Sequence, residues 1–324
     1  MKKALRIFAF ILSGLIIIAV AAMAYIAIAL PNVGEPQSDL VVSITPEKVA
    51  RGKYLANHVM LCIDCHSQRD FSLFSGPPIP GTEATGGERF TKDQGFPGEF
   101  VSPNITPHGL GEWTDGELLR LITTGVNRNG EAIFPVMPYH SYGKADQADV
   151  EAVIAYIRSL DPVETSHPRS KVDFPFNLIL KTMPEKASFT ALPEPSDLIA
   201  YGGYLANAAA CADCHTKFEN GGYVGQKLAG GRVFAFPEGI LTSPNLTPHP
   251  SGLGNWDEEM FVQRFKMHDP ALYPTSKVKP GDFQTIMPWV MYAGMKEEDL
   301  KAIFAYLKSL PPVENYVEKF KPNT

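Results

Sequence analysis

The first 34 residues contain an uninterrupted apolar stretch, unlike any other part of the chain. No charged residue occurs between Ile7 and Leu30; three basic residues precede this stretch and the first acidic residue, Glu35, follows it. These 24 residues would form a helix of about 36 Å, and the hydrocarbon core of a bilayer is about 30 Å thick. The pattern therefore predicts a transmembrane helix within residues 1–34.

A cleaved signal peptide is the alternative interpretation of this segment. Its apolar core would be shorter, about 7 to 15 residues, and it would end at a site such as Ala22-Met23-Ala24. Six apolar residues follow that site directly, which favours an uncleaved anchor. The basic residues before the helix predict a cytoplasmic N-terminus, so that in a bacterium the remaining chain would face the periplasm.

Two amphipathic segments near positions 150 and 300 have apolar residues at the spacing i, i+3, i+4, i+7. This spacing predicts a helix with one buried face. The positions are Val150, Val153, Ile154 and Ile157 in the first segment, and Leu300, Ile303, Phe304 and Leu307 in the second.

A second pair of helices is predicted near positions 46 and 197. Thr45-Pro46-Glu47 supplies an N-cap, a proline at the first helical position and an early acidic residue. Pro195-Ser196-Asp197 has a similar role, with Ser196 as the expected cap. Gly52 and Gly202 would let each of these helices approach an amphipathic helix closely, although they could instead fray the helix.

The similarity between these segments extends along the chain as an internal repeat. "RGKYLAN" returns as "YGGYLAN" 150 residues later, "SPNITPHGLGEW" returns as "SPNLTPHPSGLGNW", and "VIAYIRSLDPVE" returns as "IFAYLKSLPPVE". Matches in the same order at a nearly constant offset indicate two copies of one domain. We therefore predict a mostly α-helical fold with domains at 45–164 and 196–316. The linker, 165–195, would pack between the domains or form a patch for a partner subunit.

Charge restricts the class of partner. The chain has 29 basic and 35 acidic residues; without the three basic residues before the apolar stretch, 26 remain against 35. Nucleic-acid binding requires a basic surface and is not expected. An acidic carrier would instead be steered towards a partner with a basic docking face, although mild acidity can also serve solubility alone.

All four cysteines belong to two copies of the pattern C-x-x-C-H, "CIDCH" and "CADCH". This spacing is the signature of covalent c-type haem attachment, in which the histidine binds the iron. A thioredoxin-like pair does not need the histidine, and a zinc site would have to combine ligands about 150 residues apart. The pattern predicts two covalently bound haem c groups. Their ligands would be Cys62, Cys65 and His66 in the first copy, and Cys211, Cys214 and His215 in the second.

Each predicted haem iron needs a second axial ligand, and methionine would make the site a high-potential electron carrier. Met137 and Met287 follow the histidines by 71 and 72 residues, and each precedes a proline. Proline disfavours a helix at the preceding residue, so each methionine would lie on an extended strap. The competing candidates are a weaker set, because they are unmatched between copies, lie too near the haem motif or suit a structural role. They are Met291, Met295, Met60, His58, His108, His140, His167, His249 and His268.

Taken together, these motifs resemble the cytochrome c subunit of membrane-bound bacterial alcohol and gluconate dehydrogenases. The resemblance covers about residues 45–315 and includes the linker sequence "FPFNL". It implies a haem c fold, His/Met-ligated iron and electron transfer towards the respiratory chain. Two features differ: the family has three haem domains where this chain has two, and the second copy has a longer segment, "KMHDPALYPTSKVKPGDFQTI".

We therefore expect a dihaem electron carrier, not an enzyme, anchored by a single helix in the inner membrane of a bacterium. The donor would be a dehydrogenase or a quinol-oxidising complex, and the acceptor an oxidase or another carrier. A dihaem peroxidase is the alternative. It would need one haem with an open axial position, and the matched methionines argue against this.

Overall fold

The computed structural model of the protein describes residues 2–236, 238–279 and 281–322. Helices make up 39% of the chain, which confirms the expected mostly helical class. The strands are short, and those described form two three-stranded sheets and one two-stranded sheet.

Helix α1 (Lys2–Ala29) contains the apolar stretch, and none of its residues is buried. Its most apolar 18-residue window has a mean hydropathy of 2.8, so the helix is long and apolar enough to cross a membrane. A membrane anchor and a signal sequence both have this property.

The first copy opens and closes with a helix, and a ten-residue helix and several shorter elements lie between them. The capped entry into α2 was predicted correctly, because the Thr45 side chain accepts from the amide of Lys48 at 3.3 Å and Pro46 begins the helix. In chain order the elements are α2 (Pro46–Tyr54), a π-helical turn (Leu55–Val59), α3 (Cys62–Cys65), β1 (Arg89–Phe90), a 3-10 turn (Lys92–Gln94), β2 (Gly98–Val101), α4 (Pro107–Leu110), α5 (Asp115–Thr124), α6 (Tyr139–Tyr142) and α7 (Gln147–Arg158).

The linker contributes one strand and one short helix. Strand β3 (Lys171–Val172) pairs antiparallel with β2, which also pairs antiparallel with β1. Helix α8 (Phe176–Leu180) follows, and the ammonium group of Lys181 donates to the carbonyl of Ala27 at 3.0 Å. The linker therefore packs on the first copy and touches the end of α1.

The second copy has the same order of principal helices, with one additional strand pairing. The expected cap at Ser196 is wrong: the side chain of Asp197, one residue later, accepts from the amide of Ala200 at 3.1 Å. The elements are α9 (Leu198–Ala208), α10 (Cys211–Cys214), β4 (Phe218–Glu219), β5 (Gly222–Tyr223), β6 (Val233–Ala235), β7 (Gly239–Thr242), α11 (Glu258–Lys266), α12 (Trp289–Tyr292), α13 (Glu297–Ser309) and β8 (Phe320–Pro322).

The opening and closing helices of each copy pack closely at a glycine. A Cβ atom on Gly52 would lie 1.8 Å from the carbonyl oxygen of Ala152, and one on Gly202 would lie 1.8 Å from that of Ala302. The predicted close approach is therefore correct in both copies. All eight residues of the two amphipathic stripes are buried against these helices.

Two buried aspartates join the copies across their interface. Asp149 of α7 accepts two bonds from the guanidinium of Arg51, at 2.8 and 2.7 Å, and one from the Tyr204 hydroxyl of the second copy at 2.7 Å. A buried carboxylate needs hydrogen-bond donors, and Asp149 takes them from both copies. This carboxylate therefore fixes how α9 meets α7.

The repeat-related aspartate, Asp299 of α13, has a similar role, and among the described residues it forms no salt bridge. It accepts from the Tyr54 hydroxyl of the first copy and from the Tyr201 hydroxyl of its own copy, the latter at 3.0 Å. The two halves therefore exchange a tyrosine each, and residues from both contribute to one continuous apolar core.

Candidate functional site

The two Cys-x-x-Cys-His segments have the same backbone conformation. Each forms a single helical turn, α3 or α10, that begins after a residue in the left-handed region: Leu61 with φ 56° and Ala210 with φ 51°. In each turn the histidine amide donates to the carbonyl of the first cysteine at 2.9 Å. The repeated sequence therefore places its cysteines and histidine on equivalent turns.

The cysteines lack the properties of a redox pair or a zinc site. None forms a disulfide, and burial raises the pKa of the Cys62, Cys65 and Cys211 thiols to about 12 and that of Cys214 to about 11. Reactive cysteines have lowered pKa values instead. Within residues 2–236, 238–279 and 281–322, no group of three or more His, Cys, Asp or Glu side chains could hold a metal ion.

Each motif histidine is oriented by a backbone carbonyl. His66 Nδ1 lies 2.8 Å from the carbonyl oxygen of Pro103, and His215 Nδ1 lies 2.9 Å from that of Pro244. Because a carbonyl only accepts, Nδ1 carries the proton and Nε2 is left with the lone pair that a metal ligand needs. Burial lowers the pKa of both histidines, which favours this neutral form.

The carbonyl beneath the first histidine is itself held in place by the residues that follow it. The side-chain Nδ2 of Asn104 donates to the backbone carbonyl of Val163 at 2.8 Å. Its Oδ1 accepts from the backbone amide of Thr106 at 2.8 Å. This side chain therefore ties the "SPN" segment to the chain that leaves the closing helix.

The second copy repeats this arrangement. The side-chain Nδ2 of Asn245 donates to the backbone carbonyl of Val313 at 2.7 Å, and its Oδ1 accepts from the backbone amide of Thr247 at 2.9 Å. Sequence reasoning assigned no role to these asparagines. The signal was nevertheless present, because "SPN" and "PVE" occur in both copies and the structure joins them.

Two glycines, also missed from the sequence, close the cradle around each histidine. Gly86 and Gly230 have φ of 78° and 77°, and their amides donate to the carbonyls of His66 and His215 at 2.8 and 2.7 Å. A Cβ atom on either would lie 2.5 Å from the carbonyl carbon of the proline that holds the histidine. Glycine is therefore required for both reasons. The signal was the Gly-Gly pair at this place in each copy.

Met137 and Met287 lie at equivalent bends, directly before α6 and α12. Neither is helical, as the following proline predicted, and both are partly buried against the core. The carbonyl of each accepts from the amide two residues later at 2.8 Å. Their role as iron ligands stays a prediction.

The competing residues have other structural surroundings. Met60, Met291 and Met295 are buried in the core. His58 Nδ1 lies 2.9 Å from the carbonyl oxygen of Met291 and thereby bridges the two copies, and His249 Nδ1 lies 2.9 Å from the hydroxyl of Ser251. The remaining histidines are His108 on the exposed face of α4, His140 on α6, His167 against Thr85, and His268 within an aromatic cluster.

The residues of both cradles fit a covalently attached haem. Each supplies two unpaired thiols for thioether bonds and one imidazole with a free Nε2 for the iron. The hydroxyl of Tyr139, two residues after Met137, is buried without a hydrogen-bond partner, as expected beside a polar group of a bound cofactor.

Comparisons with known proteins agree with this chemistry. Residues 199–311 match the family model for cytochrome c, which implies covalently bound haem c in that part of the chain. The chain is 27% identical to the fructose dehydrogenase cytochrome subunit of Gluconobacter japonicus, over 86% of this chain and 55% of that protein. It is 28% identical to the cytochrome c subunit of alcohol dehydrogenase (quinone) of Gluconacetobacter polyoxogenes, over 82% of this chain and 56% of that protein.

A third relative is matched over more of its own length. A diheme cytochrome c-type protein of Cereibacter sphaeroides is 29% identical over 78% of this chain and 83% of that protein. By contrast, the chain spans only about half the length of the two dehydrogenase subunits. The predicted resemblance is confirmed: over most of its length the chain is similar to cytochrome c subunits of bacterial dehydrogenases and to a diheme cytochrome c.

Proposed function

We propose that the chain is a dihaem electron carrier with two tandem cytochrome c domains, at 45–164 and 196–316. The observation that carries the proposal is the duplicated cradle, in which the same turn, glycine and proline carbonyl surround His66 and His215. Cys62 and Cys65 would hold the first haem, and Cys211 and Cys214 the second. When bound, each haem supplies one-electron chemistry; the chain fixes its position and excludes water.

We propose His/Met ligation, with His66 and Met137 at the first iron and His215 and Met287 at the second. The Pro103 and Pro244 carbonyls support this role, because a hydrogen bond at Nδ1 raises the electron density available at Nε2. A methionine sulfur opposite the histidine raises the reduction potential and closes the axial position to peroxide. The protein would therefore transfer electrons without acting on a substrate.

We propose that helix α1, within residues 1–34, anchors the protein in the inner membrane of a bacterium, with both haem domains on the periplasmic side. Three basic residues at the start of the helix, before its apolar stretch, support this orientation. The donor would be a dehydrogenase or quinol-oxidising complex, since similar chains are named as dehydrogenase subunits, and the acceptor would belong to the respiratory chain.

The absorption spectrum of the purified holoprotein tests this proposal. We expect two haems per chain, both low-spin when oxidised, with the near-infrared methionine-to-iron band and no response to peroxide. Met137→Ala and Met287→Ala should each remove about half of that band, because each would ligate one of two irons. Met60→Ala and Met295→Ala are matched controls and should retain it. A high-spin haem that reacts with peroxide in the unmodified protein would contradict the carrier function.

Cysteine variants test the count of haems separately. Cys62→Ser with Cys65→Ser should remove one of two covalently attached haems, measured as half of the haem stain in a denaturing gel. Cys211→Ser with Cys214→Ser should remove the other. A full stain in either double variant would contradict the assignment of that motif.

A further inference from the structure

The two largest length differences between the copies lie after the motif histidine and before the methionine. The first copy has a longer loop after its histidine, since Gly86 lies 20 positions after His66 whereas Gly230 lies 15 positions after His215. The second copy has a longer approach to its methionine, 31 positions after the tryptophan against 24 in the first copy. We name residues 67–85 the first-copy loop and residues 276–287 the second-copy strap. In the structure these two unmatched segments contact each other.

The two segments pair through their backbones. The amide of Phe74 donates to the carbonyl of Ser276 at 2.8 Å, and the amide of Val278 donates to the carbonyl of Ser72 at 2.9 Å. This short antiparallel ladder brings the first-copy loop alongside the strap that leads to Met287.

Gln284 of the strap is fully buried, and its side chain forms hydrogen bonds with the first-copy loop. Its Nε2 donates to the carbonyls of Phe71 and Leu73 at 2.9 and 3.0 Å. Its Oε1 accepts from the amide of Ser75 at 2.9 Å. A buried amide that lost such partners would be costly, so the side chain holds loop and strap in one register.

Ser75 extends this contact to the methionine itself. Its hydroxyl donates to the carbonyl of Met287 at 2.5 Å and accepts from the amide of Trp289 at 3.0 Å. The residue is 1% exposed and has φ 70°, a conformation that residues other than glycine adopt rarely and that surrounding contacts must maintain. One side chain of the first copy therefore holds the peptide groups on both sides of the Met287–Pro288 bend.

Aromatic packing covers the same junction. The ring of Phe74 stacks on His268 with centroids 5.5 Å apart and lies 5.9 Å from that of Phe283. His268 in turn lies 5.0 Å from Trp289, at the exit of the strap. The first-copy loop is thus packed against residues before and after Met287.

In the part of the chain that the structure describes, no hydrogen bond from the second copy reaches Met137 or Pro138; the Asn207 side chain donates instead to the carbonyl of Ser141 on α6 at 2.9 Å. Among the described residues, the carbonyl of Met137 accepts from Tyr139 of the same copy, and Phe134 stacks on Phe100 at 4.5 Å and contacts Phe176 of the linker at 5.6 Å. The two straps are therefore held by different means.

We propose that Ser75 and Gln284 are positioning residues for Met287, so that the first domain controls axial ligation in the second. This inference rests on the proposed His/Met function. A strap fixed before the sulfur binds loses less conformational entropy on ligation, so the sulfur competes better with other ligands. Undocking of the first-copy loop would weaken methionine ligation at the second iron and leave the first unchanged.

The test is imidazole binding to the oxidised full-length holoprotein, followed by the near-infrared band. Ser75→Ala and Gln284→Leu each remove part of the junction, and Gln284→Leu largely preserves volume. In each variant we expect half of the haem sites to bind imidazole about tenfold more tightly, as the loss of one to two hydrogen bonds predicts. Ser72→Ala is the matched control, because among the described residues that exposed hydroxyl bonds to Asp70 of the same loop and to no other group. This variant should match the unmodified protein.

A third variant separates misfolding from loss of positioning. Ser75→Gly also removes the hydroxyl but relieves the backbone at φ 70°, and it should show the same selective gain in imidazole affinity. If all three variants retain unmodified imidazole affinity at both sites while Met287→Ala loses half of the band, the positioning role is wrong. If Met287→Ala itself leaves the band intact, the ligation proposal fails instead.

Discussion

The two methionine straps show how one sequence module can be supported in two ways. The strap of Met137 is held by aromatic contacts of Phe134 with Phe100 of its own copy and with Phe176 of the linker. The strap of Met287 is held by buried polar groups of the other copy, through Ser75 and Gln284. The cradle beneath each histidine is the same in both copies. The support of the methionine strap differs between them. The position of Met287 therefore depends on the contact between the two copies more than the position of Met137 does.

The largest predicted effect concerns the part of the copies that is the same. Gly52→Ala and Gly202→Ala should each lower the free energy of unfolding by about 3 to 5 kcal/mol, because each new Cβ would lie 1.8 Å from a backbone oxygen. Urea unfolding followed by circular dichroism measures this loss. Gly222→Ala is the control, because nothing lies within 4 Å of the new Cβ and the φ of Gly222 is not in the left-handed region. Unequal losses of unfolding free energy at positions 52 and 202 would show that the two pairs of helices are not equally closely packed.

The interface aspartates should respond unequally. Arg51→Ala leaves Asp149 without its cation and should cost about 2 to 3 kcal/mol, since a partly buried charge loses its paired partner. Tyr201→Phe at the repeat-related position removes one hydrogen bond to Asp299 and should cost about 1 kcal/mol. Urea midpoints of both variants compare the two. Equal losses would mean that the Arg51 pair adds nothing beyond a neutral hydrogen bond.

Removing the aromatic support should affect the first strap alone. Phe134→Ala should cost about 2 kcal/mol and weaken the Met137 half of the near-infrared band, because Phe134 contacts Phe100 and Phe176. Imidazole affinity at the second site should stay unchanged, which is the reverse of the Ser75→Ala result. A change at both sites in either variant would contradict independent support of the straps.

The smallest effect concerns pH and is confined to the first copy. Burial raises the pKa of Glu88 to about 7, although nearby Arg69 opposes the shift. The folded protein therefore holds this proton more tightly than the unfolded chain, so stability should fall as pH rises from about 4.5 to about 7. Solvent screening limits the loss to about 1 kcal/mol.

Glu88→Gln should remove that pH dependence, measured from urea midpoints at about pH 5 and about pH 8. The repeat-related residue is Arg232, so the second copy has no equivalent carboxyl. Arg232→Lys therefore serves as a charge-preserving control that should keep the slope. An unchanged slope in Glu88→Gln would assign the dependence to another group.

Local patterns allowed the frame to be predicted because they act over short distances along the chain. The helix stripes and Thr45-Pro46-Glu47 correctly located three of the four helices that open and close the two copies. The fourth, α9, was located but its cap was assigned one residue too early, since Ser196 and Asp197 are both good caps and only the backbone geometry chose between them. The cradle residues Asn104 and Gly86 were missed because their partners are distant in sequence.

The sequence by itself determined the repeat, the apolar N-terminal helix, the two Cys-x-x-Cys-His motifs and the paired methionines, since each is a matter of residue type and spacing. Only the tertiary structure decided that a proline carbonyl orients each histidine and that the segments with the two largest length differences contact each other. Those contacts join residues from about 30 to more than 200 positions apart. Spacing along the chain carries no information about such pairs, because packing of the two copies brings them together.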